Sequence, residues 1–332
     1  MVKTAIIGAG IAGLACAEAL QAAGHAVMLF EKGRSAGGRT STRRIATPLG
    51  DAQFDHGAQY FTARDPRFQA RVERWRAAGV VLPWPAAGAD AWVGVPGMNA
   101  PVKAMAAGCE VRSSMRIGSL ERQDGGWRVL QAVAIEVLQD SAGADAATDA
   151  ALTQDELFEA VVIALPAEQA ATLLSPVHAA FAAEAAATPS APCWTLMLAF
   201  DRRLDGVGDI LRDSGAIGWA ARNSAKPGRS GPEAWVIQAG PAWSMAHLEV
   251  TSEVAAAMLQ REFAVLAGIT LPEALVSVAH RWRYARSGTF GQPALWDDRV
   301  QLGVCGDWLI GPRVEAAWIS GTALAERIIA GG

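Results

Sequence analysis

A run of glycines, two acids and one arginine carry the chemistry most legible in this chain. Gly8-Ala9-Gly10-Ile11-Ala12-Gly13 is a GxGxxG turn, Glu31 follows 18 positions after its last glycine, and Gly37-Gly38-Arg39 comes soon afterwards. In such a turn Gly8 permits the tight reversal, Gly10 lets the backbone approach a pyrophosphate, and Gly13 lets helix and strand pack closely. Ile11 and Ala12 open a helix whose N-terminus offers donors and partial positive charge to phosphate. Glu31, with Lys32 beside it, is placed to accept hydrogen bonds from a ribose diol, and an acid at this point disfavours a 2′-phosphate. Gly38 and Arg39 then separate NAD from FAD. A second glycine pair followed by arginine offers further amides and a guanidinium to a diphosphate, where NAD dehydrogenases continue into another helix. The expected cofactor is FAD. Arg34, Arg43 and Arg44 lie close by, the last two reading more simply as a solvated basic loop.

These residues need particular elements around them. Residues 4–7 read as a short buried strand, an Ala-rich helix runs to about Ala23 and stops at Gly24, and Ala26 to Phe30 form a second strand ending at Glu31. Strand, turn, helix, strand and acid are the full context that makes a GxGxxG credible. Further on, "AVVIALPAEQA" (160–170) is a buried strand, and "CWTLMLAFD" and "EAWVIQAG" alternate like strands with one face turned to a pocket. "VCGDWLIGPRVEAAWISG" (304–321) reads as strand, Gly306-Asp307 step, turn and helix. That helix carries Val314, Ala317, Trp318, Gly321, Ala325 and Ile328 as an apolar stripe.

The totals exclude several classes. The 332 residues are 51% hydrophobic and 19% charged, a globular composition, and the net charge of −4 gives no support to a nucleic-acid partner. Cys16, Cys109, Cys193 and Cys305 lie far apart with no CxxC, so reduced core cysteines are expected and no metal site. The apolar N-terminal run contains the glycine turn and no small-residue cleavage site. No stretch reaches the ~18 uncharged residues of a membrane span. A soluble, cytoplasmic protein is expected. HExxH, GxSxG and a Cys/His nucleophile pair are all missing, and a single GxGxxG argues against a reductase with a second nucleotide domain.

The GxGxxG…Glu…GGR series resembles the flavin-containing amine oxidases. "FDHGAQYFTARDPRF" (54–68), "WVGVPGMNA" (92–100), "WAARNSAKPGR" (219–229), "HRWRYAR" (280–286) and "CGDWLIGPRVEAAWISG" (305–321) narrow the resemblance to bacterial renalases. It implies an α/β chain: a glutathione-reductase-like FAD-binding Rossmann domain with a discontinuous, mixed-sheet substrate domain. The FAD part would take residues 1–60, 95–170 and 290–332, and the substrate part 61–94 and 171–289. The stretch from about 130 to 160 reads as an insertion in a surface hairpin. By the same resemblance Gly57, Ala58 and Gly306 contact FAD and the backbone near Ile117 contacts adenine. Asp307 binds the ribityl hydroxyls, and amides near Val314 point at the pyrimidine edge of a noncovalently held flavin.

Hydride transfer to a flavin needs position and electronics more than a strong base. No catalytic acid or base stands out. His280, Trp282 and Trp308 are the candidates for facing the flavin, although for His56 and His280 a structural role is the simpler reading. The resemblance implies oxidation of 1,2- and 1,6-dihydro isomers of NAD(P)H, with O2 as second substrate and hydrogen peroxide as product, and no protein partner. Gln59, Tyr60, Phe61, Thr62, Ala63, Pro96, Gly97 and Met98 would line the nicotinamide pocket, with Cys193 nearby. Two alternatives stay open: a small-amine oxidase on the same scaffold, whose usual tyrosine cage is poorly supplied by Tyr60 and Tyr284, and a non-catalytic flavin-binding protein.

Overall fold

β1 (Lys3–Ile7), α1 (Ile11–Ala22) and β2 (Ala26–Phe30) form the expected strand–turn–helix–strand unit, with β1 and β2 parallel from Lys3↔Ala26 to Ile7↔Phe30. This is a computed structural model, and it describes residues 2–132, 156–212 and 215–331. Thr4–Ile7 and Val27–Phe30 are buried on both faces, as a parallel strand covered by helices requires. Glu110–Arg112 extends the sheet beyond β2, and Ala160–Ile163 and Leu302–Val304 extend it beyond β1, all parallel. Leu295–Asp297 closes the far edge antiparallel, so the six-stranded sheet is mixed. The strand that runs into Gly306 and Asp307 therefore lies next but one to the strand that feeds the glycine turn.

The C-terminal helix Val314–Gly331 packs its apolar stripe on α1. Gly321 makes this close approach possible, because a methyl there would overlap the Ala12 carbonyl oxygen. At the carboxyl ends of the strands, Gly8 takes φ +106°, and a Cβ on it would meet the Ala164 carbonyl oxygen at 2.5 Å. Only glycine serves both the turn and the crowding.

A second, antiparallel sheet has five strands in the order Ile210–Leu211, Ile217–Arg222, Glu233–Ala239, Ala191–Phe200, Val276–Arg286. Its fourth strand, Ala191–Phe200, is buried on both sides, more completely than a strand with one face on an open pocket. Trp194, Leu196, Leu198 and Phe200 pack with Leu259 and Phe263 of helix Ser252–Ala267. Met197 and Ala199 pack on Ala52 and Phe54 of the hairpin formed by Arg43–Thr47 and Gly50–Phe54. Only the upper end of that second face is left to a site. There Cys193 stands opposite Trp282, and Thr195 opposite His280.

Gly126–Gln131 pairs with Ile117–Gln123 as a hairpin, and the expected insertion lies largely at 133–155, outside the described residues. Among the described residues, no helix is long and apolar enough to cross a membrane.

Candidate active site

The nucleotide end is built from backbone. α1 starts after Gly10 with no side-chain cap and no acid in its first turn, and a Cβ on Gly10 would meet nothing within 4 Å. The first-turn amides therefore face open space, which suits an anion. Glu31 is buried, and its carboxylate accepts from the Ala9 amide (3.0 Å) and the Gly33 amide (2.7 Å), so it ties the glycine turn to the end of β2. Gly33 and Glu31 in turn accept, through their carbonyls, from the amides of Ser114 and Met115, which brings the start of the Ile117 strand to the same end. Lys32 is exposed beside Glu31.

At the other end two sequence candidates meet each other. The Arg39 guanidinium pairs with Asp307 at 2.6 Å and also donates to the Ala285 carbonyl of the antiparallel sheet. The second Asp307 oxygen accepts from the Ser287 hydroxyl at 3.0 Å. The Gly57-Ala58 turn docks on Arg39: the Ala58 amide donates to the Arg39 carbonyl, and a methyl on Gly57 would overlap that oxygen. From the opposite side Gln238 donates to the Gly57 carbonyl at 2.7 Å. The C-terminal helix begins at Val314, beside which Glu315 is turned away to receive the amides of Arg64 and Asp65 and the Arg313 guanidinium.

Between the ends lies a buried polar cluster centred on Asp55. Its carboxylate accepts from Thr42 (2.7 Å), the Met98 amide (2.9 Å), Lys226 (3.2 Å) and Arg229 (2.6 Å). Burial alone would raise this acid, but the two cations outweigh it and hold its pKa at about 2. Lys226 is fully buried and also donates to Gln59 at 3.2 Å; burial brings it down to about 8 against the pull of Asp55. Two aromatic groups flank the cluster. His56, His280 and Trp282 pack within 4.6–5.2 Å of one another, and the Trp282 indole donates to the His56 carbonyl. Burial first, then His280 and Arg43, push His56 down to about 4, and burial with Arg43 and Arg281 does the same for His280. Both rings are neutral at pH 7. Tyr60, Trp84 and Trp219 form the other group at 5.5–6.4 Å, with the Lys226 ammonium 5.2 Å from the Trp84 ring.

A model of the flavin-containing amine oxidoreductases matches residues 82–329, and one of NAD(P)-binding Rossmann-like domains matches residues 6–75. The chain belongs to the flavin-containing amine oxidoreductase family. Solved structures agree on the fold over 99% of both chains. They include a provisionally assigned protoporphyrinogen oxidase from Exiguobacterium sp. 255-15 (TM-score 0.73, 13% identity) and a putrescine oxidase with bound putrescine (0.70, 14%). The cyclohexylamine oxidase of Brevibacterium oxydans IH-35A is similar at TM-score 0.69 and 14% identity.

The family implies a flavin, and the residues present fit one. The uncapped α1 terminus under open space above Gly10, the fixed Glu31 carboxylate and the Arg39–Asp307 clamp are groups a dinucleotide cofactor would engage. Several expected pocket residues are placed elsewhere. Phe61 is a core residue stacked edgewise on Phe68 and Trp75, because its strand turns that side chain under the small sheet of Phe61–Thr62, Ala91–Gly94 and Val81–Pro83. Met98 is also core, and Pro96-Gly97 presses on Thr42 and the Asp55 cluster. Trp308 does not join His280 and Trp282: it is fully buried against Phe290 and donates to the Leu165 carbonyl. Thr62, at the end of a strand of that small sheet, and Ala63 after it are half-buried. Cys193 is buried opposite Trp282, with its thiol pushed up to about 11 by burial, which makes it inert as a nucleophile.

Asp55, Lys226, Arg229, Trp84 and Trp219 were not singled out from the sequence. All but Trp84 lie within the motif blocks quoted above, where local spacing carries no chemical reading for them. Charges of opposite sign 171 positions apart cannot be paired from spacing alone.

Proposed function

We propose that this protein is a flavin oxidase of isomeric dihydronicotinamides, holding FAD noncovalently and converting dihydro-NAD(P) isomers, O2 and a proton to NAD(P)+ and hydrogen peroxide. One observation carries the choice of substrate: every acid described at the site is already engaged. Glu31 and Glu315 are held by backbone amides, Asp55 by Lys226 and Arg229, and Asp307 by Arg39 and Ser287. An ammonium substrate entering such a site would find no carboxylate to replace its water, at a cost of several kcal/mol. A flat, uncharged dihydropyridine carried on phosphates meets aromatic faces and cations instead.

A bound flavin would supply the two-electron acceptor and pass the electrons on to O2. The chain's own residues bind and orient. Trp282 and the neutral His56 and His280 rings offer flat, uncharged surfaces for a planar ring. Gln59, fixed between Lys226 and the carbonyls of Asp55 and Gly57, keeps that wall rigid. Noncovalent attachment fits the thiol next to Gly306: Cys305 is fully buried and raised to about 12 by that burial.

The Tyr60–Trp84–Trp219 group favours a second reading, a small amine bound in its neutral form against aromatic faces. Anaerobic mixing of the purified flavoprotein with 1,2- and 1,6-dihydro-NAD, ordinary NADH and a panel of amines separates the two. Bleaching of the flavin band by an isomer, with NAD+ released, is the expected result. Bleaching by an amine alone would replace this reading with the second.

A further inference from the structure

A cavity of about 640 Å³ opens beside the aromatic trio and shares no residue with the cofactor cradle. Arg34, Arg43 and Arg44 line it together with Thr42 and His56. The three arginines are exposed, and none has a carboxylate partner among the described residues. No acid lines the cavity. Its inner wall is His56, which is only 8% exposed and whose Nδ1 is buried without a hydrogen-bond partner. Three guanidinium groups without carboxylate partners along one opening are an arrangement suited to phosphate oxygens.

We propose that this cavity is a phosphate subsite, taking the diphosphate of the dinucleotide whose dihydronicotinamide is oxidised; this rests on the functional reading above. Its volume leaves room for a diphosphate. The position fits as well. His56 lines the cavity and its ring lies 5.2 Å from both His280 and Trp282, so the arginines and the aromatic face share this residue. Arg43 lies close enough to help keep both imidazoles neutral, and a bound dianion would offset that influence.

The test compares Arg43→Ala/Arg44→Ala with the wild-type holoenzyme on two donors, 1,6-dihydro-NAD and the 1,6-dihydronicotinamide riboside that lacks phosphate. The expected result is a KM for the dinucleotide raised about tenfold or more, with its kcat and the riboside KM within about twofold. Inorganic pyrophosphate should compete with the dinucleotide in the wild type and not in the variant. Equal changes for both donors, or loss of flavin from the variant, would overturn the assignment. If neither donor reduces the wild-type flavin, the functional reading fails separately. The subsite is then judged by calorimetry with inorganic pyrophosphate on the holoenzyme. Binding that the variant loses would keep a phosphate site with a free anion as its ligand, and no binding would sink it.

Discussion

At the scale of single residues, the two imidazoles at the site make a measurable demand on pH. A histidine in the unfolded chain takes a proton near pH 6.5, whereas burial and the neighbouring arginines make His56 and His280 refuse one until about pH 4. Between those values the unfolded chain binds more protons than the folded one, so stability is full above pH 6.5 and falls as the pH drops through the window. By pH 5 the loss is roughly 2 kcal/mol for each ring. Urea unfolding followed from pH 7 to 5 should show this decline, and His56→Gln/His280→Gln should flatten it. A profile equally steep in the variant would place the titrating groups elsewhere. The two histidines were visible in motif blocks, yet their contact was not, because it joins residues far apart in the chain through tertiary packing. Chemistry written in local spacing, such as Gly8-x-Gly10-x-x-Gly13 followed by Glu31, was legible. Chemistry made by long-range pairing, such as Asp55 with Lys226 and Arg229, was not.

At the scale of elements, the C-terminal helix explains the glycine in its middle. Gly321 sits where a side chain would enter the Ala12 carbonyl and press on the Cys16 amide, so the helix lies directly on the first turn of α1. Gly321→Val must push the two helices apart or distort α1, at a cost on the order of 1–3 kcal/mol or more. With the free amides of α1 proposed to hold the cofactor, the same change should lower the ratio of flavin to protein after purification. Ile329→Ala, on the same helix but 39% exposed, should alter neither thermal midpoint nor flavin content appreciably. Should Gly321→Val retain full flavin and an unchanged midpoint, the close packing would have no role in the site. Helix and strand periods announced these elements from the sequence. The edgewise burial of Phe61 and Trp308 escaped it, because an aromatic in a motif block reads alike whether it walls a pocket or fills a core.

At the scale of the whole molecule, the groups proposed to face the cofactor come from both ends of the chain, and the Arg39–Asp307 pair ties them across 268 positions while Arg39 also holds Ala285 of the antiparallel sheet. Removing the arginine leaves Asp307 buried with only Ser287, and truncating one partner of a buried pair costs on the order of 3 kcal/mol. Arg39→Ala should therefore act twice. Its flavin-free form should melt below the flavin-free wild type, because the clamp itself is lost. Added FAD should then raise its midpoint less than it raises that of the wild type, since stabilisation by a ligand follows its affinity for the folded state. Calorimetry on both proteins, with and without FAD, separates the two effects. A lower starting midpoint with an undiminished response to FAD would mean that Arg39 holds the two ends together without touching the cofactor. Its guanidinium would then act on the fold alone, and the diphosphate would have to rest on the backbone amides around Gly10 and Gly38.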